Sequence, residues 1–431
     1  MSMSNGSRDG MGAMIIIGVL FFIFGFISWL NAILIPYFKL ACELSTNAAM
    51  LVAFAFYISY FVMAFPSSWI LKKVGYKNGM IAGLLIMAAG ALIFIPAAMT
   101  RVYSIFLLGL FIQGTGLTLL QTASNPYVTI LGPIESAASR ISIMGVCSKV
   151  AGAIAPLILI GVIMRNPAEI DQLQIQLPLL TPDGKNAALD ELSRRLIVPY
   201  LVVAGVLTFL ALMIRFTRLP DIKEEGFVSV ELTGMAPEKT SVFQFKHLML
   251  GAIAIFCGVS AEVLAVDTII NYAQYSGLAF EEAKYFASYT LIFMIISYCI
   301  GIFIIPLIIS QRNILKLSAI VGIVFTLLAL SFNGLVSIWF IALLGLGNAL
   351  IWPSLWPLSL TGLGKFTGKG SALMIMGVVG GAISPLIYGA FSDQTNPQVA
   401  YWLLIPFYLF IFYFSAAGYK AGLPKPRPAF V

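Results

Sequence analysis

The chain has 431 residues, 60% of them apolar and only 10% charged; its 25 Lys/Arg outnumber 18 Asp/Glu, and it holds a single histidine. A soluble domain keeps nearer a quarter of its residues charged to face water, so a soluble globular fold is excluded, as is a metal site built from several histidines. The charges cluster between apolar runs of about eighteen residues or more, each long enough to cross a bilayer as a helix, and the sequence predicts an all-α membrane protein of 12 transmembrane helices.

The first predicted span, 13–38, follows a polar tail, is too long for the apolar core of a cleaved signal, and carries Asn31. Spans 48–71 and 78–99 follow, joined by the basic stretch Leu71-Lys72-Lys73-Val74-Gly75-Tyr76-Lys77. The fourth, 103–131, carries Gln121 and Asn125, four residues apart and so on one helical face. The fifth, 138–164, holds Lys149 well inside it. Residues 165–195, rich in Leu, Gln and Asp, are expected as a long outer loop before the sixth span, 196–216. Residues 217–246, with Pro220, Asp221, Glu224, Glu225, Pro237 and Glu238, read as a cytoplasmic linker.

The seventh span, 247–275, opens at His247 and carries Glu262 near its middle, then Asp267 and Asn271, which are expected to share a face. Glu262 and Asp267 stand about 140° apart around the helix, and Asp267 about 7 Å nearer the outer end. Spans 283–309 and 313–331 lead to the tenth, 336–363, where Asn348, Trp352 and Trp356 form an i, i+4, i+8 stripe; 370–391 and 397–420 complete the set. Ala151-Gly152-Ala153-Ile154-Ala155-Pro156 returns as Gly380-Gly381-Ala382-Ile383-Ser384-Pro385, and Asn125-Pro126 is echoed by Trp356-Pro357 at nearly the same offset. This internal symmetry predicts two pseudo-symmetric six-helix halves, 1–216 and 247–431, with a binding site between them near mid-depth.

Taking the amino terminus as cytoplasmic places most Lys/Arg on the inner side, including Lys72, Lys73, Lys77, Arg215, Arg218, Arg312, Lys316, Lys365, Lys369 and Lys420. That bias fixes topology and puts both termini in the cytoplasm. It accounts for the net charge of +7 without a nucleic-acid partner. The cysteines Cys42, Cys147, Cys257 and Cys299 are scattered and read as packing residues.

A charge inside the hydrocarbon layer costs about 3 kcal/mol even on insertion scales, so intramembrane ionisable residues mark a pathway or pair with one another. Carboxamides (Asn31, Gln121, Asn125, Asn271, Asn348), a carboxylate (Glu262) and two indoles (Trp352, Trp356) at middle depth suit a sugar, whose hydroxyls need several partners and whose apolar face stacks on rings. The bland alternative is that the amides join helix to helix. Lys149, Glu262 and Asp267 together leave one negative charge, which would attract one cation or proton; a structural Lys149–carboxylate pair is the competing reading. Opposed carboxylates and a lone histidine make an enzyme a poor fit, and no filter sequence suggests a channel.

The run Gln121-Thr122-Ala123-Ser124-Asn125-Pro126-Tyr127-Val128, continuing into Leu131-Gly132-Pro133 and Ser139-Arg140-Ile141, resembles the major facilitator superfamily, and within it the fucose/glucose/galactose symporter branch. Trp29-Leu30-Asn31 through Pro36, the basic stretch 71–77, and Ile143-Met144-Gly145-Val146-Cys147-Ser148-Lys149-Val150-Ala151-Gly152 extend the likeness along the chain, the last toward bacterial glucose/galactose transporters. The resemblance implies a major facilitator fold and alternating-access uptake of a hexose across the bacterial inner membrane, coupled to Na+ or H+, by a monomer that needs no cofactor beyond the transported cation. The alternative is an exporter or uniporter of another small metabolite or drug. Two departures matter: the branch's proton-handling carboxylates fall at Ala32 and Gln121, both neutral here, while Glu262 stands where the fucose permease pattern has a sugar-binding glutamine.

Overall fold

The structure is a computed structural model that describes residues 5–130, 137–164, 169–217, 240–305, 308–363 and 366–422. Among the described residues it is helical with no strand, and 12 helices are long and apolar enough to cross a bilayer. Numbered in chain order, these spans are 1 (Met14–Ala41), 2 (Thr46–Val74), 3 (Tyr76–Thr100), 4 (Tyr103–Ser124), 5 (Arg140–Ile163) and 6 (Ile197–Phe216, the membrane-crossing part of the apolar stretch that starts at Pro182). Spans 7 (Lys246–Asp267), 8 (Phe280–Ile304), 9 (Gln311–Ser331), 10 (Gly334–Leu360), 11 (Lys369–Gln394) and 12 (Pro397–Ala416) follow. Many large apolar side chains in mid-span face outward, among them Leu92, Ile158, Phe209 and Ile292. In water they would be a liability; against acyl chains they are the expected surface.

The pairing pattern repeats. Spans 3 and 4, 2 and 4, 3 and 6, and 1 and 5 pack together, and so do 9 and 10, 8 and 10, 9 and 12, and 7 and 11. Six added to each number of the first set gives the second, so the two sets of six spans share one internal arrangement. Between the sets, span 5 packs on span 8 and span 2 on span 11, again a symmetric exchange. Each of these two seams seats a tyrosine on a glycine. A Cβ added at Gly145 of span 5 would lie 3.0 Å from the Tyr298 ring, and one at Gly381 of span 11 would lie 2.8 Å from the Tyr57 ring. The missing side chains are what let these helices approach. The stretch expected as a linker lies mostly outside the described residues.

Two features depart from the sequence reading. Residues 165–195 are not an irregular loop: they form helices Glu169–Gln176 and Pro182–Arg194, with a turn at Leu177–Leu179. Thr181 begins the second, its hydroxyl accepting from the Gly184 amide, with Pro182 in the first turn. Arg195 ties this layer down by donating to the Ile163 carbonyl (3.2 Å) and to Glu169 (2.8 Å), and the Tyr37 hydroxyl donates to the Leu192 carbonyl.

The second departure lies in spans 1, 7 and 10, whose helices are interrupted. Span 1 breaks at Leu30, between Asn5–Trp29 and Asn31–Ala41. Span 7 ends at Asp267 and resumes as Ile269–Tyr275, with the Thr268 hydroxyl donating to the Leu264 carbonyl (2.6 Å) and meeting the Tyr401 hydroxyl (2.7 Å). Span 10 is split into Gly334–Asn348 and Ile351–Leu360. Irregular backbone at membrane depth survives only where protein or a cavity covers it.

The spans alternate in direction, so one end of the bundle, here the terminal face, carries the start of span 1 and the end of span 12. The opposite end, the loop face, carries helices Glu169–Gln176 and Pro182–Arg194. There the two sets are bonded together. The Asn47 amide donates to Asp393 (3.1 Å), and the Phe280 and Glu281 amides at the start of span 8 donate to the Asp171 carboxylate (2.8 and 3.3 Å). An acid at a helix N-terminus satisfies orphan amides and meets the positive end of the dipole. On the terminal face, Lys77 donates to the Arg215 and Thr217 carbonyls (3.1 and 2.8 Å), the matching cationic closure of the end of span 6.

Candidate functional site

The middle of the bundle holds an ion pair that joins the two sets: Lys149 of span 5 donates to the carboxylate of Glu262 of span 7. Side-chain exposures of 10% and 16% put the pair largely out of water. The Lys149 ammonium also lies 4.3 Å from the centroid of the Trp29 ring, so it is held between an anion and an aromatic face. Trp29 is fixed by Gly152 of span 5, where a Cβ would overlap the indole. The i, i+3 spacing of Lys149 and Gly152 thus makes one helix face both platform and charge.

Glu262 borders a crevice of about 10 Å³, room for a single water, shared with Ile255, Gly258, Val259, Ile351, Trp352 and Leu355. Trp352 stacks on Trp356 with centroids 5.3 Å apart and planes at 25°. Both indoles are partly exposed, and Trp352 lines the crevice beside Glu262. Asn348 is bonded at both ends: it accepts from the Tyr408 hydroxyl (2.8 Å) and donates to the Ala261 carbonyl (3.4 Å). In this conformation it joins span 10 to spans 7 and 12, at the end of the first segment of span 10.

The remaining expected residues fall in other places. Asn31 is fully buried at the start of the second segment of span 1, and neither of its amide atoms has a hydrogen-bond partner. Asp267 is also fully buried, with both carboxylate oxygens unpartnered, and is close enough to Glu262 and Lys149 to feel both charges. Asn271, beyond the interruption at Thr268, lines a loop-face cavity of about 860 Å³. That cavity also touches Lys39, Glu43, Lys185, Gln274 and Asp393. Gln121 is half-buried on span 4; the side chain of Asn125, further along the same helix, lies outside the described residues.

Sequence reasoning missed an aromatic shell. Tyr57, Tyr298 and Tyr408, from spans 2, 8 and 12, all stand in the field of Glu262, and Tyr57 in that of Asp267 as well. Nothing separates these tyrosines from other aromatics in apolar runs until the spans are packed. Trp29 had a weak signal, as the neighbour of Asn31 in the first span. Among the described residues no group of three or more His, Cys, Asp or Glu could hold a metal ion.

Comparison with known proteins agrees with this architecture. The family profile of the Major Facilitator Superfamily matches residues 17–378. The chain is 33% identical over 406 residues to the glucose/galactose transporter of Brucella abortus, covering 94% of this chain and 93% of that protein. It is 28% identical over 404 residues to the L-fucose-proton symporter of Escherichia coli, covering 93% and 91%. Among solved structures, the E. coli fucose:proton symporter in its outward conformation aligns with a TM-score of 0.74 at 26% identity, over 95% of this chain and 99% of that one. An inward-facing bacterial homologue of the lysosomal transporter Spinster aligns with a TM-score of 0.61 at 14% identity, over 98% of each chain, a likeness of fold alone.

Proposed function

The chain belongs to the major facilitator superfamily, and from that premise we propose that it is a cation-coupled hexose symporter of the glucose/galactose type, working by alternating access. The observation that carries this reading is the Lys149–Glu262 pair. It lies out of water, spans the seam between the two six-span sets, and has indoles on both sides. A buried ion pair adds little stability over an apolar contact, so its presence is better explained by ligand than by fold. A pyranose entering between the halves would exchange hydroxyls for the Lys149–Glu262 contact and lay its apolar face on Trp352 or Trp356. Gln121, Asn125, Asn31, Asn271 and Asn348 are the further amides within the proposed path. The names of the relatives support the substrate class: one is a glucose/galactose transporter, another a fucose–proton symporter.

In this reading Lys149, Glu262 and Asp267 form the cation-coupling group, and the likeness to the L-fucose-proton symporter of E. coli favours a proton over sodium. The protein sits as a monomer in the bacterial inner membrane, and the terminal face is cytoplasmic, where Lys72, Lys73, Lys77, Arg215 and Lys420 gather. The two seams carry the rocking motion, and ligand biases it by its differential affinity for the two states.

The test is counterflow of labelled glucose and galactose in proteoliposomes, followed by accumulation under imposed proton or sodium gradients. Saturable exchange that Glu262→Gln abolishes supports the reading. Exchange of neither hexose, with transport of an apolar compound instead, would replace it with a facilitator-type exporter.

A further inference from the structure

Of the three ionisable groups in the central region, Lys149 and Glu262 neutralise each other, and Asp267 is left without a counter-charge. It stands at the interruption of span 7, inside the unbroken buried stretch Val263–Ile270, fully shielded and with no donor to either oxygen. Four residues further on, about 6 Å along the helix, Asn271 lines the loop-face cavity. We propose that Asp267 is the proton site that couples transport, and that the loop-face halves of spans 1 and 7 close only over its neutral acid. The proposal rests on reading the protein as a cation-coupled sugar carrier and assigns the coupling to one residue.

The physical argument is one of desolvation. A carboxylate sealed from water with no hydrogen bond is among the costliest groups a protein can bury. A proton removes that charge and needs no new ligand. A metal cation would need a shell of further oxygens and would stand in the field of Lys149. The ionisable groups around Asp267 are Glu262 on its own span, Lys149 from span 5 and Tyr57 from span 2. Tyr298 and Tyr408 of spans 8 and 12 stand in the field of Glu262. Lys39 and Asp393 lie at the loop-face ends of spans 1 and 11.

The cycle follows from which state tolerates the anion. With the loop face open, water reaches Asp267 and the anion is stable, so the empty, deprotonated carrier rests open. A proton from that side makes closure possible, with sugar held at Lys149–Glu262. Loss of the proton to the other side leaves a sealed anion, which drives the loop face open again. Neutral Ala32 and Gln121, at the positions where the family resemblance expects carboxylates, make no claim on this proton.

Two experiments on the full chain in proteoliposomes test this. First, Asp267→Asn is expected to cut proton-gradient-driven hexose accumulation and sugar-evoked proton uptake by about tenfold or more, while counterflow falls by less than about threefold. Accumulation equal to the unsubstituted protein's would overturn the proposal, as would accumulation driven by a sodium gradient and not by a proton gradient. Second, without sugar, Ala32→Cys in a cysteine-free background reports opening of the loop-face half by its labelling with a maleimide. Labelling is expected to rise about tenfold from about pH 5.5 to about pH 8.5 with Asp267 present, beyond the thiol's own titration in the unfolded chain, and that extra rise should vanish in Asp267→Asn. Equal profiles in both would overturn the proton site. The Asp267-dependent rise without any hexose counterflow would keep the proton site and remove the sugar reading.

Discussion

The two ends of spans 1 and 7 are built differently. Toward the loop face, every residue from Asn31 to Phe38 and from Val263 to Ile270 is buried. Toward the terminal face the same two spans alternate, with Ile16, Gly18, Phe21, Phe256 and Val259 partly exposed between buried neighbours. The hydrogen bonds that cross between the sets at the loop face, Asn47 to Asp393 and the start of span 8 to Asp171, have the same sense. The difference teaches that the barrier is not centred on the site: it lies on one side of the Lys149–Glu262 pair and is thick there.

That contrast can be broken or sharpened at four points. The largest effect is expected at the boundary itself. Glu262→Ala leaves the Lys149 ammonium buried without its anion, a change of about 3–5 kcal/mol, and hexose counterflow should fall by about a hundredfold or more. Adding Lys149→Gln should restore thermal stability in detergent without restoring transport; recovery of both would reduce the pair to a structural role. Next, cysteines placed on the two sides should differ. Val259→Cys is expected to react with a water-soluble maleimide about thirtyfold faster than Ile33→Cys, and equal rates would erase the asymmetry.

A smaller effect should follow from loosening the loop-face bonds. Asp171→Asn removes a charge from the start of span 8, worth about 1 kcal/mol, and labelling of Ile33→Cys should rise about fivefold. The smallest belongs to the terminal face. Lys77→Met gives up a cationic closure worth about 0.5 kcal/mol and should change counterflow by less than about twofold, because that contact lies within one set of spans. A large loss there would mean that the terminal face also carries a gate.

Much of this was legible in the sequence, and the reasons differ by feature. Twelve apolar runs announce twelve spans because hydrocarbon leaves no other use for them. Lys149, Glu262 and Asp267 announce themselves because ionisable residues are rare at that depth. The interruptions at Leu30 and Thr268 do not: neither residue breaks a helix by propensity, and tertiary contacts such as Thr268 to Tyr401 decide them. Helix Pro182–Arg194 was hidden by its polar composition, although Thr181-Pro182 is a legible start signal. The same polar residues that read as one sugar site divide, once packed, into a paired centre, a sealed pair of side chains and a cavity rim. Burial depends on neighbours from other spans, which periodicity along one helix cannot supply.

The layer formed by Glu169–Gln176 and Pro182–Arg194 has a practical consequence. It rides on the first six spans through Arg195 and Tyr37, yet Asp171 grips the start of span 8 in the other six. An antibody fragment clasping this layer together with the span 8 entrance would freeze the molecule from outside the bilayer, without entering the sugar path, and would give cryo-EM the rigid mass that a chain of 46.7 kDa lacks.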